Sequence, residues 1–133
     1  MRLELLDNTY SVYKLKADHP VPASVFEGDF ASVTKTKDEL SIVAPADAAP
    51  RCAEVEDGWK ILKISGVLDF GLIGVLSGLS AILTAEGISI FAISTYNTDY
   101  ILIKAEAAES AISALEKNGH EVVVSSEKAY NKS

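Results

Sequence analysis

Ile93-Ser-Thr-Tyr-Asn-Thr-Asp-Tyr-Ile-Leu-Ile103 reads as a β-hairpin: an apolar run ends in hydroxyl residues, turns through polar ones, and re-enters an apolar strand after an acid. An earlier stretch, Val33-Thr-Lys-Thr-Lys-Asp-Glu-Leu-Ser-Ile-Val43, aligns with it without gaps at a constant offset of 60 (93 − 33). Val33 matches Ile93, Thr34 matches Ser94, Glu39 matches Asp99, and Ile42-Val43 matches Leu102-Ile103. A hairpin repeated once predicts two related modules in tandem. The polar turn is the natural place for chemistry.

Working outward from the second hairpin, Trp59-Lys-Ile-Leu-Lys-Ile-Ser65 alternates and predicts a strand. Gly66 to Gly71 forms a loop. From Leu72, apolar residues fall at 72, 75, 76, 79, 82 and 83, the stripe of a core-facing helix, and Gly87 ends it. Ile88 to Thr95 and Asp99 to Ala105 are the hairpin strands. Glu106 to Asn118 is an Ala-rich helix with Ala108, Ala111, Ile112 and Leu115 on its inner side, and His120 to Ser125 closes with a strand. The order is β-α-β-β-α-β, the ferredoxin-like arrangement, which makes the fold class α+β with helices on one face of antiparallel sheets.

The first half follows the same plan in shortened form. Tyr10-Ser-Val-Tyr-Lys-Leu-Lys16 resembles the strand at Trp59 at an offset of 49, so the first helix of this module is largely lost, in agreement with Pro20, Pro22 and Gly28. Its second helix has only Pro45 to Arg51 to occupy. The expected organisation is therefore a shortened module over 1–58, a full one over 59–125 and a polar tail over 126–133.

Composition narrows the function classes. The 133 residues carry a net charge of −7, which argues against a nucleic-acid binder and against an anionic membrane surface. The uncharged run from Phe70 to Ala85 is shorter than the roughly 20 residues a membrane span needs. One cysteine, Cys52, excludes an internal disulfide framework and fits a reducing compartment, and the N-terminus does not read as a signal peptide, so a cytoplasmic location is expected. His19 and His120 offer no metal-ligand spacing, no CxxC completes a metal site, and no GxSxG, Walker A or GxGxxG motif is present. Neither enzyme chemistry nor a cofactor is expected.

Binding is better supported. The loop Leu68-Asp-Phe-Gly71 opens the first helix of the full module beside the hairpin turn, so the N–H groups of Gly71, Leu72 and Ile73 are expected at a helix N-terminus, which suits a carboxylate. Asp69 and Asp99 suit an ammonium group, and Ser94, Thr95, Thr98 and Asn97 offer short hydrogen-bonding groups. Between Lys63 and Lys104 the only charges are Asp69, Glu86 and Asp99, all acidic, which favours a zwitterion over a phosphate-rich ligand. Each residue also has a plain structural use: Asp69 as a helix cap, Asn97-Thr98-Asp99 as turn chemistry, Gly71 for a special backbone angle, Tyr96 and Phe70 as packing.

Two features bear on assembly. The strands at Ile88 and Tyr100 are apolar on both faces, so the face away from the helices is expected to be buried by the companion module or a second chain. Gly74, Ser77, Gly78, Ala81 and Ala85 form a small-residue stripe on the long helix, open to three explanations. These are close approach of another helix, packing on the sheet of its own chain, or glycines tolerated at about 1 kcal/mol each.

The β-α-β-β-α-β module, with Leu68-Asp-Phe-Gly-Leu-Ile-Gly74 and the hairpin 93–103, resembles the ACT domain. The likeness is to the tandem type of small bacterial ACT proteins, the regulatory part of aspartokinases and animal cytosolic arginine sensors. It covers residues 59 to 125, with the first half as a shortened copy. The resemblance implies amino-acid binding between paired ACT modules in a homodimer. Asp69, Phe70, Gly71, Leu72, Ile73 and Gly74 would form one wall, with Ser94, Thr95, Tyr96, Asn97, Thr98 and Asp99 as the other. It also implies regulation of an unidentified protein partner. The competing reading is a protein-interaction or assembly module with a vestigial ligand site.

Overall fold

The computed structural model describes residues 1–48, 54–65 and 74–125. These form eight strands and two α-helices, an α+β fold. The chain divides into two compact units, residues 8–59 and residues 1–7 with residue 60 onward. Against the expected modules 1–58 and 59–125, the first seven residues join the C-terminal unit and Trp59 joins the N-terminal one. The polar tail lies outside the described residues.

In the C-terminal unit, β1 (Arg2–Leu5), the second half of β5 (Glu54–Ile64), α1 (Val75–Ala85), β6 (Ile90–Ser94), β7 (Asp99–Lys104), α2 (Ala108–Lys117) and β8 (Glu121–Val124) make one sheet with both helices on one face. The strand order is β6-β7-β5-β1-β8. The ferredoxin-like order is thus opened by β1, which pairs antiparallel to β5 (Leu3 opposite Ile64) and parallel to β8 (Leu3 opposite Val122). The expectation of a wholly antiparallel sheet fails at that one pair. Leu3, Leu62, Ile64, Ile101 and Ile103 face Leu79 and Leu83 of α1 and Ala111 and Leu115 of α2 in a closed core. On the opposite face Ile61 and Leu102 are also fully buried, while Phe91 and Ile93 are half-buried.

The apolar stripe does what its spacing predicts: Val75, Leu76 and Ile82 pack on the core around buried Leu79 and Leu83. The helix begins later than expected, however. Its N-cap is Gly74, so its first free N–H groups belong to Val75 and the residues after it; the donors expected at Gly71, Leu72 and Ile73 lie outside the described residues, with Asp69 and Phe70. Gly87 and Gly119 close the two helices at φ 73° and 88°, a region where a side chain is strained, and let Ile88 and His120 donate back to Leu83 and Leu115. The small-residue stripe is exposed along its length, which excludes packing on the chain's own sheet.

In the N-terminal unit, β2 (Tyr10–Leu15), β3 (Ser32–Lys35), β4 (Leu40–Pro45) and the first half of β5 pair in the order β3-β4-β2-β5, the ferredoxin-like order. The first helix survives only as a 3-10 turn at Ala23–Phe26, and Pro45 to Ala48 is a turn rather than a helix. Tyr13, Leu15, Val25, Leu40, Ile42 and Ala44 make its core.

The repeat is real, but its register is not the gap-free one. Ser94 pairs with Asp99 where Lys35 pairs with Leu40, an offset of 59 (94 − 35). Leu40, Ile42 and Ala44 face their core as Ile101 and Ile103 face theirs, so Ile42-Val43 corresponds to Ile101-Leu102. The offset of 60 would turn those side chains to the other face. Glu39 is therefore the counterpart of Thr98, and Asp99 has Leu40 in its place in the first copy.

Candidate functional site

The hairpin of the C-terminal unit closes on a tight set of side-chain bonds. Ser94 and Asp99 are the last register pair, and the Ser94 hydroxyl donates to Asp99 Oδ1. The Thr95 N–H donates to the Thr98 carbonyl at 2.9 Å, and Thr95 Oγ1 donates to the same oxygen at 3.0 Å while accepting from the Thr98 N–H at 3.3 Å. Such hydroxyl-to-backbone bonds are what makes Thr favourable in turns.

Thr98 points inward. It is 4% exposed, and its hydroxyl donates to the Ile64 carbonyl at 2.8 Å. This buried bond fixes the turn against the end of β5, from which the chain leaves into residues 66–73. Tyr96 by contrast is 82% exposed, and Asn97 is exposed beside it. The hairpin thus presents Tyr96 and Asn97 at its tip and the Ser94–Asp99 pair at its base, with Thr98 holding it down. The Thr98 hydroxyl, expected to meet a ligand, is engaged within the fold.

Sequence reasoning passed over Ser65. Its N–H donates to the Arg2 carbonyl at 2.8 Å, and its Oγ is buried without a hydrogen-bond partner among the described residues. A hydroxyl directly after the last apolar residue of a strand, next to a glycine loop, was the available signal. Further along, Tyr100 is held above its ordinary pKa by burial and by the nearby Glu4 carboxylate, so the phenol stays neutral.

Among the described residues no group of three or more His, Cys, Asp or Glu is placed to hold a metal ion. No helix among them is long and apolar enough to cross a membrane. Gly74, at the start of α1, is the described member of the expected first wall.

A family model of the ACT domain matches residues 54–117. A second model, of an N-terminal domain, matches residues 8–52. No curated protein matches the sequence. Among solved structures, a protein from Agobacterium tumefaciens is 32% identical over 92% of this chain and 92% of its own, with a TM-score of 0.86. A protein of unknown function from Vibrio cholerae is 19% identical over 87% and 88% of the two chains, with a TM-score of 0.69. The regulatory subunit of aspartate kinase from Thermus thermophilus is 17% identical over 83% and 92%, with a TM-score of 0.58. The last two are likenesses of fold alone. Taken with the strand order and the hairpin, these matches show that the chain belongs to the ACT-domain family, whose members are generally small-molecule-binding regulatory modules.

Proposed function

We propose that this chain is a regulatory module that binds an amino acid or a similar zwitterion, held where its C-terminal unit meets an ACT unit of a second chain. The observation that carries the reading is the buried Thr98–Ile64 bond, which holds the hairpin turn at the end of β5 and leaves Asp99 half-exposed and Asn97 and Tyr96 exposed. In this reading Asp99 and Asp69 receive the ligand ammonium. N–H groups of the segment Gly71, Leu72, Ile73 and Gly74 and of the start of α1 receive its carboxylate. Ser94 orients Asp99, Thr95 and Asn97 add directional bonds, Thr98 anchors the turn, and Phe70 and Tyr96 flank the ligand. The Ser65 hydroxyl, unbonded among the described residues, supports a polar ligand at this end of the sheet.

A ligand that bridges two chains stabilises one dimer geometry and alters the affinity of a partner protein by linkage. No catalytic role and no cofactor belong to this reading, and a reducing, cytoplasmic setting suits the one cysteine. The test is a thermal-shift series against the twenty amino acids. A ligand at a hundred times its Kd adds about 2.7 kcal/mol of stability. Asp99→Ala is expected to abolish the shift and to leave the melting temperature without ligand close to wild type. A variant that binds normally returns Asp99 to turn chemistry alone.

A second reading rests on the exposed small-residue face of α1, from Gly74 to Ala85. It makes the chain an assembly module with a vestigial site. A native dimer that no amino acid stabilises would select it.

A further inference from the structure

The junction between α2 and β8 carries a chemically labile pair, Asn118-Gly119, the one Asn-Gly step in the sequence. An asparagine deamidates when the backbone nitrogen of the next residue attacks its side-chain carbonyl carbon. Glycine has no Cβ beside that nitrogen and hinders the attack least. Asn8 and Asn97 each precede a threonine, Thr9 and Thr98, whose branched Cβ crowds the same nitrogen, and Asn131 precedes Lys132. Asn118 and Gly119 are both exposed, so water reaches the pair.

The closure of α2 holds this pair in check. Asn118 is the C-cap, with φ −98° and ψ 17°, and its Nδ2 donates to the Ala114 carbonyl at 2.8 Å. The Gly119 N–H donates to the Glu116 carbonyl at 3.1 Å, and the His120 N–H donates to the Leu115 carbonyl at 3.0 Å. The attacking nitrogen is thus engaged, and the amide it must reach is tied one turn back along the helix. Reaction requires this last turn to open, and helix ends lie at the low end of a fold's range of local stabilities. Space does not oppose it: a Cβ built on Gly119 meets no atom within 4 Å among the described residues.

We propose that Asn118 is a site of hydrolytic modification, gated by opening of the last turn of α2, and that its products loosen the junction with β8. The Gly119 nitrogen bonds to Asn118 Cγ and gives up its proton, the Cγ–Nδ2 bond breaks, and ammonia leaves. Water then opens the cyclic imide at either carbonyl carbon, giving aspartate or isoaspartate. Both products lose the donor that Asn118 presents to the Ala114 carbonyl, and both set a carboxylate against the negative end of the helix. Isoaspartate also lengthens the main chain by one carbon between residues 118 and 119, so the Gly119 and His120 N–H groups no longer reach Glu116 and Leu115 together. The strand β8 starts at Glu121, opposite Arg2 of β1, so the damage falls where the first strand of the chain is held.

Nothing in this depends on the hairpin site. The full chain is aged in mildly alkaline buffer beside a peptide of residues 115–121 as the unfolded reference, and both are followed by mass analysis of their fragments. Conversion at Asn118 is expected, about tenfold slower in the folded chain than in the peptide, with Asn8 and Asn97 intact. Asn118→Asp, which makes one product at once, is expected to melt about 2–5 °C below wild type. Four results overturn the proposal. These are no conversion at Asn118 after about ten half-lives of the peptide, a folded chain that reacts as fast as the peptide, Asn8 or Asn97 converting as fast as Asn118, or an Asn118→Asp variant that melts with wild type.

Discussion

Replacing Thr98 by valine isolates the bond on which the placement of the hairpin depends. Valine keeps the shape and the β-branch, so no cavity opens, and only the hydroxyl is lost. The hydroxyl donates to the Ile64 carbonyl at 2.8 Å, and the residue is 4% exposed, so water does not substitute for it. A neutral hydrogen bond contributes about 0.5–1.5 kcal/mol, and a buried acceptor left unsatisfied costs about 1–3 kcal/mol, so the loss should come near 2 kcal/mol. For a chain of this length that is a fall of about 6 °C in melting temperature. Thr95→Val makes the same chemical change at an exposed position, where water replaces the lost bonds, and should cost less than about 0.5 kcal/mol. Calorimetric melting of both variants gives the two numbers, and amide exchange over residues 94–99 reports whether the turn has loosened. If Thr98→Val stays within about 0.5 kcal/mol of wild type, or matches Thr95→Val, the turn is not held by that bond. The account of the site would then lose its anchor.

Two further outcomes test the N-terminal unit. Burial pushes the Tyr10 phenol well above its ordinary value of 10.0, and the Asp29 carboxylate that accepts its hydrogen bond pushes the same way; Tyr100 is raised too. The unfolded chain therefore ionises its tyrosines first, so stability is level below about pH 10 and falls as pH rises beyond it. Tyr10→Phe should make that alkaline fall shallower while costing about 1–2 kcal/mol at neutral pH, and denaturant melts at stepped pH follow both. A Cβ on Gly28 would lie 2.6 Å from Cγ of Pro45, so Gly28→Ala must displace a ring that ends β4. A loss of about 1–3 kcal/mol is expected in the same melts, and a neutral outcome would mean that the turn after β4 yields freely.

Much of the C-terminal unit was legible because its signals are local. The stripe over 75, 76, 79, 82 and 83, the glycines at 87 and 119 and the polar turn at 95–98 each state their structure within a few residues. What escaped depends on partners distant in the chain. The strand at Arg2–Leu5 alternates over four residues only, too short a pattern to read without β5 and β8 beside it. The one-residue error in the repeat arose because Ile-Val and Leu-Ile match by type in either register, and the pleat, not the residue type, decides which face each takes. At the site, the turn residues were readable as such. The inward aim of Thr98 was not, since its partner carbonyl lies 34 residues earlier. The start of α1 was missed because Gly74 caps it without a side chain. In the first half, Pro20, Pro22 and Gly28 disclosed the lost helix.

The placement of β1 has a consequence for how the chain acquires its structure. Its hydrogen-bonding neighbours, β5 and β8, end at residues 64 and 124, so β1 is made before either partner and completes its pairing only after β8. Residues 8–59 hold their own core, and β2, β3 and β4 pair with one another and with β5 up to Trp59, so they are free to fold during synthesis while β1 waits. Closing the sheet then spans nearly the whole chain, a high-contact-order step that should be slow and should govern the folding rate of the C-terminal unit. A fragment cut to the matched ACT segment, residues 54–117, would lack both β1 and β8 and expose the flank of β5 as an unpaired edge prone to association.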